Sequence, residues 1–87
     1  MASDRSWMYR RIVDHVVSQE FRVGVENFVQ FALGNPNAEV DRQGGIRCPC
    51  MICKNLKWNS PWEVQRHLYI KGFVEGYMNW TCHGEEL

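Results

Sequence analysis

The run Cys48-Pro49-Cys50-Met51-Ile52-Cys53 places three thiols within six residues, and His67 follows with thirteen residues between it and Cys53. No other feature constrains the fold as tightly. A disulfide between Cys48 and Cys50 would span one residue and be strained. A redox Cys-x-x-Cys sits at a helix N-terminus, where the dipole lowers a thiol pKa. Here the next helix signal comes only at Pro61, which weighs against redox chemistry. A metal knuckle fits better, because zinc takes four thiolate or imidazole donors at tetrahedral corners and a Cys-x-x-Cys turn supplies two of them.

Cys50 and Cys53 have that spacing, and a helix carrying His67 returns a third donor. The fourth is open between two residues. Cys48 lies two residues before Cys50, so an extended backbone turns both thiols to the same side, giving a Cys₃His site. Alternatively His83 reaches back to complete Cys₂His₂ and tethers the C-terminal segment. Cys82 is a weaker candidate. Set against this, His67 could be a core histidine bonded to a carbonyl, and His83 a simple chain-end residue. His15 stands alone and reads as surface or loop. A catalytic zinc keeps an open position for water, whereas this cluster has donors enough to close the shell. There is no phosphate loop and no nucleophile–base set. One structural zinc, no enzymatic activity and no small-molecule substrate are expected.

The chain has 87 residues, so one domain over 1–87 is expected, in the size range where a metal is a useful addition to a modest core. No apolar run approaches a bilayer span. The opening residues carry no apolar signal region, so a reducing compartment with unpaired cysteines is expected.

Two helices are legible. Ser18 can cap the first, Glu20 suits the positive end of its dipole, and Phe21, Val25, Phe28 and Ala32 form one face. Gly34 and Pro36 stop it, with Gly34 able to take a left-handed cap; Gly24 weakens it slightly. Ser60, Pro61 and Glu63 open the second as cap, first helical residue and capping-box partner, and it runs to Lys71 with Gly72 just beyond. Val64, His67 and Leu68 share its inner face; Trp62, Arg66 and Tyr69 share another. Trp7 and Tyr9 tuck onto the core as an irregular arm. Residues 12–17 form a short strand or a lead-in to the first helix, and residues 35–45 a polar loop. Ile46 and Arg47 lead as a short strand into the knuckle. Phe73, Tyr77 and Trp80 pack an extended or turned tail; Trp62, like Tyr77 and Trp80, is expected in the core. The fold class is a small, mainly α zinc-binding domain with a Cys-rich knuckle and short extended segments.

Charge is uneven although its total is zero. Residues 42–71 hold Arg42, Arg47, Lys54, Lys57, Arg66 and Lys71 against Glu63 alone. Such a stretch is either an anion-facing surface or an ordinary solvated one.

Ser6-Trp7-Met8-Tyr9, then Gly24 to Ala32, then Ile46 to Asn55 follow one another as blocks. Val64, His67-Leu68, Lys71-Gly72-Phe73, Gly76-Tyr77, Trp80 and His83-Gly84-Glu85 continue the series. Together they resemble the plant transposase-associated domain, in order and over nearly the whole chain. That domain is found near the N-terminus of transposases of the CACTA (En/Spm-like) class and in plant proteins derived from them. The family pattern has Cys at Cys48, Cys50 and Cys53 and His at His67 and His83, which supports five metal candidates without choosing four. The segment Ile12 to Phe21 is longer than the usual spacing. The resemblance implies a nuclear plant protein related to mobile elements. With the basic middle it leads to an expectation of DNA binding, with Lys54, Lys57, Arg66, Lys71 and Arg47 on phosphate. The competing expectation is a protein-interaction module that recruits transposase subunits or host proteins.

Overall fold

The computed structural model describes residues 4–86. Its first long helix, α1, spans Gln19–Gly34, and its second, α2, spans Pro61–Lys71. Both begin as their sequences dictate: the Ser18 hydroxyl accepts the Phe21 N–H at 3.1 Å and the Ser60 hydroxyl accepts the Glu63 N–H at 3.2 Å. Only half of the capping box forms at α2, because the Glu63 carboxylate turns toward Arg66 and His67 instead. The stop of α1 also differs from expectation. Gly34 stays helical, and Asn35 leaves the helix in an extended conformation with its N–H on the Ala32 carbonyl. Gly72 ends α2 with φ of 80°, a left-handed value that glycine adopts without steric cost.

The core is the apolar face of α1 (Phe21, Val25, Phe28, Val29 and Ala32) packed on Val64 and Leu68 of α2 and on the tail aromatics Phe73, Tyr77 and Trp80. Phe28 meets Phe73 and Trp80 edge-on, with ring centroids 5.4 and 4.9 Å apart. The N-terminal arm is a regular 3-10 turn over Ser6–Tyr9, not the irregular arm expected, and it buries Met8. Trp7 lies on Gly24, where an added Cβ would fall 2.4 Å from the indole ring. The helix-weakening glycine is therefore the seat for a tryptophan. Tyr9 stays exposed on its ring while its hydroxyl donates to the Val74 carbonyl at 2.8 Å.

Residues 12–17 are neither a single strand nor a helical lead-in. They form a hairpin, β1 (Ile12–Val13) antiparallel to β2 (Val16–Val17), turned by Asp14 and His15 with φ of 51° and 68°. Positive φ at both turn residues is what the type I′ form of a two-residue hairpin demands. A second hairpin pairs β3 (Ile46–Arg47) with β4 (Trp58–Asn59), a strand the sequence reading did not anticipate. The knuckle is the loop between them.

Candidate metal centre

The two strands of the second hairpin bring Cys48 and Asn59 close to each other, and the loop between folds back in tight turns. The Cys48 N–H bonds the Lys57 carbonyl at 2.9 Å and the Asn55 N–H bonds the Cys48 carbonyl at 2.8 Å. Lys54 and Asn55 take left-handed backbone, with φ of 52° and 61°. Asparagine tolerates this better than most residues, and the pair reverses the chain after Cys53. From the opposite side, the segment after α2 clamps the loop: Met51 N–H bonds the Gly72 carbonyl and Val74 N–H bonds the Pro49 carbonyl.

This framework gathers Cys48, Cys50, Cys53 and His67, whose ligand atoms all lie within 4.8 Å of one another. The His67 Nδ1 faces the three sulfurs at 3.5, 3.8 and 3.7 Å. Zn–S bonds of about 2.3 Å and a Zn–N bond of about 2.0 Å at tetrahedral angles require S···N edges of about 3.5 Å. The observed edges match, so the cluster can hold one metal ion, and three thiolates with one imidazole are a donor set suited to zinc.

Burial opposes ionisation of the thiols. It pushes Cys48 up to about 12 and raises Cys53 as well. Burial also acts on Cys50, but the N–H groups of Cys53 and Ile52 outweigh it and bring that thiol down. A cation among the three sulfurs would oppose the effect of burial on Cys48 and Cys53, and its binding would release their protons.

Two outer contacts orient the ligands. The His67 Nε2 faces a Glu63 carboxylate oxygen at 3.7 Å, and the Asn59 side-chain amide donates to the Cys53 sulfur at 3.7 Å. A metal-bound histidine whose other ring nitrogen meets a carboxylate is a recurrent arrangement that fixes tautomer and ring orientation. Sequence reasoning gave Glu63 to the helix cap and did not single out Asn59. The signal for Glu63 was present: it lies one helical turn before His67. Nothing in the sequence marked Asn59, because it reaches Cys53 only through the β3–β4 pairing.

His83 stands apart from this cluster. Its side chain is fully buried, and both ring nitrogens are engaged elsewhere. The Nε2–H bonds the Arg47 carbonyl at 2.7 Å and Nδ1 accepts the Tyr77 hydroxyl at 2.6 Å. Tyr77 in turn accepts the Cys82 N–H at 3.0 Å. The open choice of fourth donor thus falls to Cys48, giving Cys₃His. His83 does tether the tail to the strand entering the knuckle, but by hydrogen bonds.

Among the basic candidates, Lys54, Lys57, Arg66 and Lys71 are exposed. Arg66 has Glu63 at 3.6 Å. Arg47 is already committed: its guanidinium stacks on Trp58 at 4.3 Å, donates to the Asn55 carbonyl and pairs with Glu39 at 3.2 Å. Trp62 is not in the core; it is 67% exposed in the first turn of α2. No helix is long and apolar enough to cross a membrane among the described residues.

Comparison with curated proteins and with solved structures returns no match. The family model of the transposase-associated domain matches residues 5–85, which takes in the N-terminal turn, both helices, the four-donor cluster and the His83 tether. The chain belongs to the transposase-associated domain family.

Proposed function

We propose that the domain is a structural zinc module that binds duplex DNA through its phosphates, within a transposase or a transposase-derived nuclear protein of plants, and that it catalyses no reaction. The closed four-donor cluster carries this reading. Four protein ligands leave no position for a substrate or an activated water, which is the mark of a structural site. The ion would join the knuckle to α2, and both bear exposed cations: Lys54 and Lys57 on the first, Arg66 and Lys71 on the second. Phosphate contacts supply affinity that falls with salt and carry little sequence information.

The test is a salt titration of binding to short duplexes. Each phosphate neutralised adds about 0.9 to the slope of log K against log salt. Reversing Lys54 and Lys57 together is expected to lower the slope by about 2 while the metal stays bound. Binding that ignores salt and both reversals would remove the DNA reading. A second reading, a protein-interaction module, has its own support in Trp62 and Leu56, which are 67% and 77% exposed. Large apolar side chains held in water are common where partner proteins dock.

A further inference from the structure

Phosphate binding leaves one feature of the molecule unexplained. Between the knuckle and α2 runs a groove of about 310 Å³ lined by Cys50, Ile52, Arg66, His67, Ile70 and Lys71. Its aliphatic walls are held open to water: Ile52 is 63% exposed and Ile70 is 52% exposed. Duplex phosphates have no use for such walls. Among the described residues Lys71 has no carboxylate in ion-pair range, and Arg66 has only Glu63 at 3.6 Å. The groove thus couples a concave apolar surface with two exposed cations, one of which, Arg66, also faces Glu63.

We propose that this groove docks an acidic peptide segment of a partner protein through one bulky aliphatic or aromatic side chain. The anchor would lie between Ile52 and Ile70, and flanking Asp or Glu residues would meet Arg66 and Lys71. Binding sites of this kind are mostly apolar, with a few charged groups that fix orientation, and a short segment with one anchoring side chain is a recurrent docking mode. A basic rim selects against basic segments by the same charges that favour acidic ones. The inference rests on the metal reading in one respect. Cys50 and His67 both line the groove with their ligand atoms 3.8 Å apart, so the ion that joins them also ties the knuckle to α2 there.

The test uses the zinc-loaded full chain and a displayed library of random 12-residue peptides. Enriched peptides are expected to share net negative charge and one Leu, Ile, Met or Phe. Their backbone-amide NMR perturbations should concentrate on residues 50–54 and 66–71. Ile52→Ser and Ile70→Ser, which keep charge constant, should each weaken the enriched peptide at least tenfold and change duplex binding less than twofold. Lys71→Glu should weaken both. Metal analysis of every variant separates loss of the groove from loss of the ion. Enriched peptides with no acidic or apolar consensus, or binding that survives both serine variants with zinc in place, overturn the proposal. So do concentration-dependent perturbations of the same residues without peptide, which would assign the groove to a second copy of the chain.

Discussion

His83 is a buried imidazole whose two contacts suit the neutral ring. One nitrogen must donate to the Arg47 carbonyl, which leaves the other free to accept the Tyr77 hydroxyl in the neutral ring. Burial pulls its pKa below the ordinary 6.5. The unfolded chain binds a proton near that value and the folded chain resists it. The contribution of His83 is therefore complete above about pH 6.5 and is lost as pH falls through the lowered folded value. The midpoint of its ring ¹⁵N titration should lie below 6.5. His83→Ala should cost about 3 kcal/mol in urea unfolding, from the cavity and two orphaned polar groups. One zinc per chain should remain, whereas Cys48→Ser should lose it. Metal loss from a folded His83→Ala protein would return His83 to the ligand set. Gly24 makes the complementary point. Alanine there would favour the helix by about 1 kcal/mol in isolation. Its methyl would collide with Trp7, so Gly24→Ala is expected to destabilise the domain by about 1–3 kcal/mol. A raised melting temperature would show that the arm does not sit as described.

At the scale of elements, α2 does two things with adjacent faces. Val64 and Leu68 seal the core, while Glu63 and His67, one turn apart, form a carboxylate–imidazole pair aimed at the sulfurs. Glu63→Gln removes the charge and keeps the shape. It is expected to weaken zinc binding about tenfold, measured by chelator competition, with helix content unchanged. Unaltered affinity would reduce Glu63 to a solvated partner of Arg66. The β3–β4 hairpin supplies the other half of the site. Its register sets Ile46 opposite Asn59 and Arg47 opposite Trp58. Together with the Cys48 N–H bond to Lys57, that pairing brings the two ends of the knuckle to the same place.

In the whole molecule, the segment from Arg5 to Arg11 is clasped to the segment from Tyr69 to Glu85, and the middle is held by the cluster. Arg5 bonds both carboxylate oxygens of Glu85, at 2.7 and 2.9 Å, and stacks on Trp80 at 3.6 Å. The Tyr9 hydroxyl accepts the Tyr77 N–H, and Arg11 donates to the Tyr69 carbonyl. Against this, the knuckle buries three cysteines and few large apolar groups. A structural zinc site supplies apparent binding free energy of about 10–16 kcal/mol, more than a domain of this size holds in net stability. Chelation should therefore melt the β3–β4 hairpin and its contact with α2 first. Hydrogen exchange should rise over residues 46–59 before it rises in α1, and uniform exchange across the chain would contradict that order. Both helices, their serine N-caps and the Cys50–Cys53 pair could be read from the sequence, because helix periodicity and a Cys-x-x-Cys turn are local and each is written in consecutive residues. The tertiary structure alone decided the rest. Whether Cys48 or His83 completes the cluster, why Gly24 is glycine, and where β4, Asn59 and Arg47 point depend on residues up to 36 apart in sequence. A chain encodes such contacts only through the fold that brings them together.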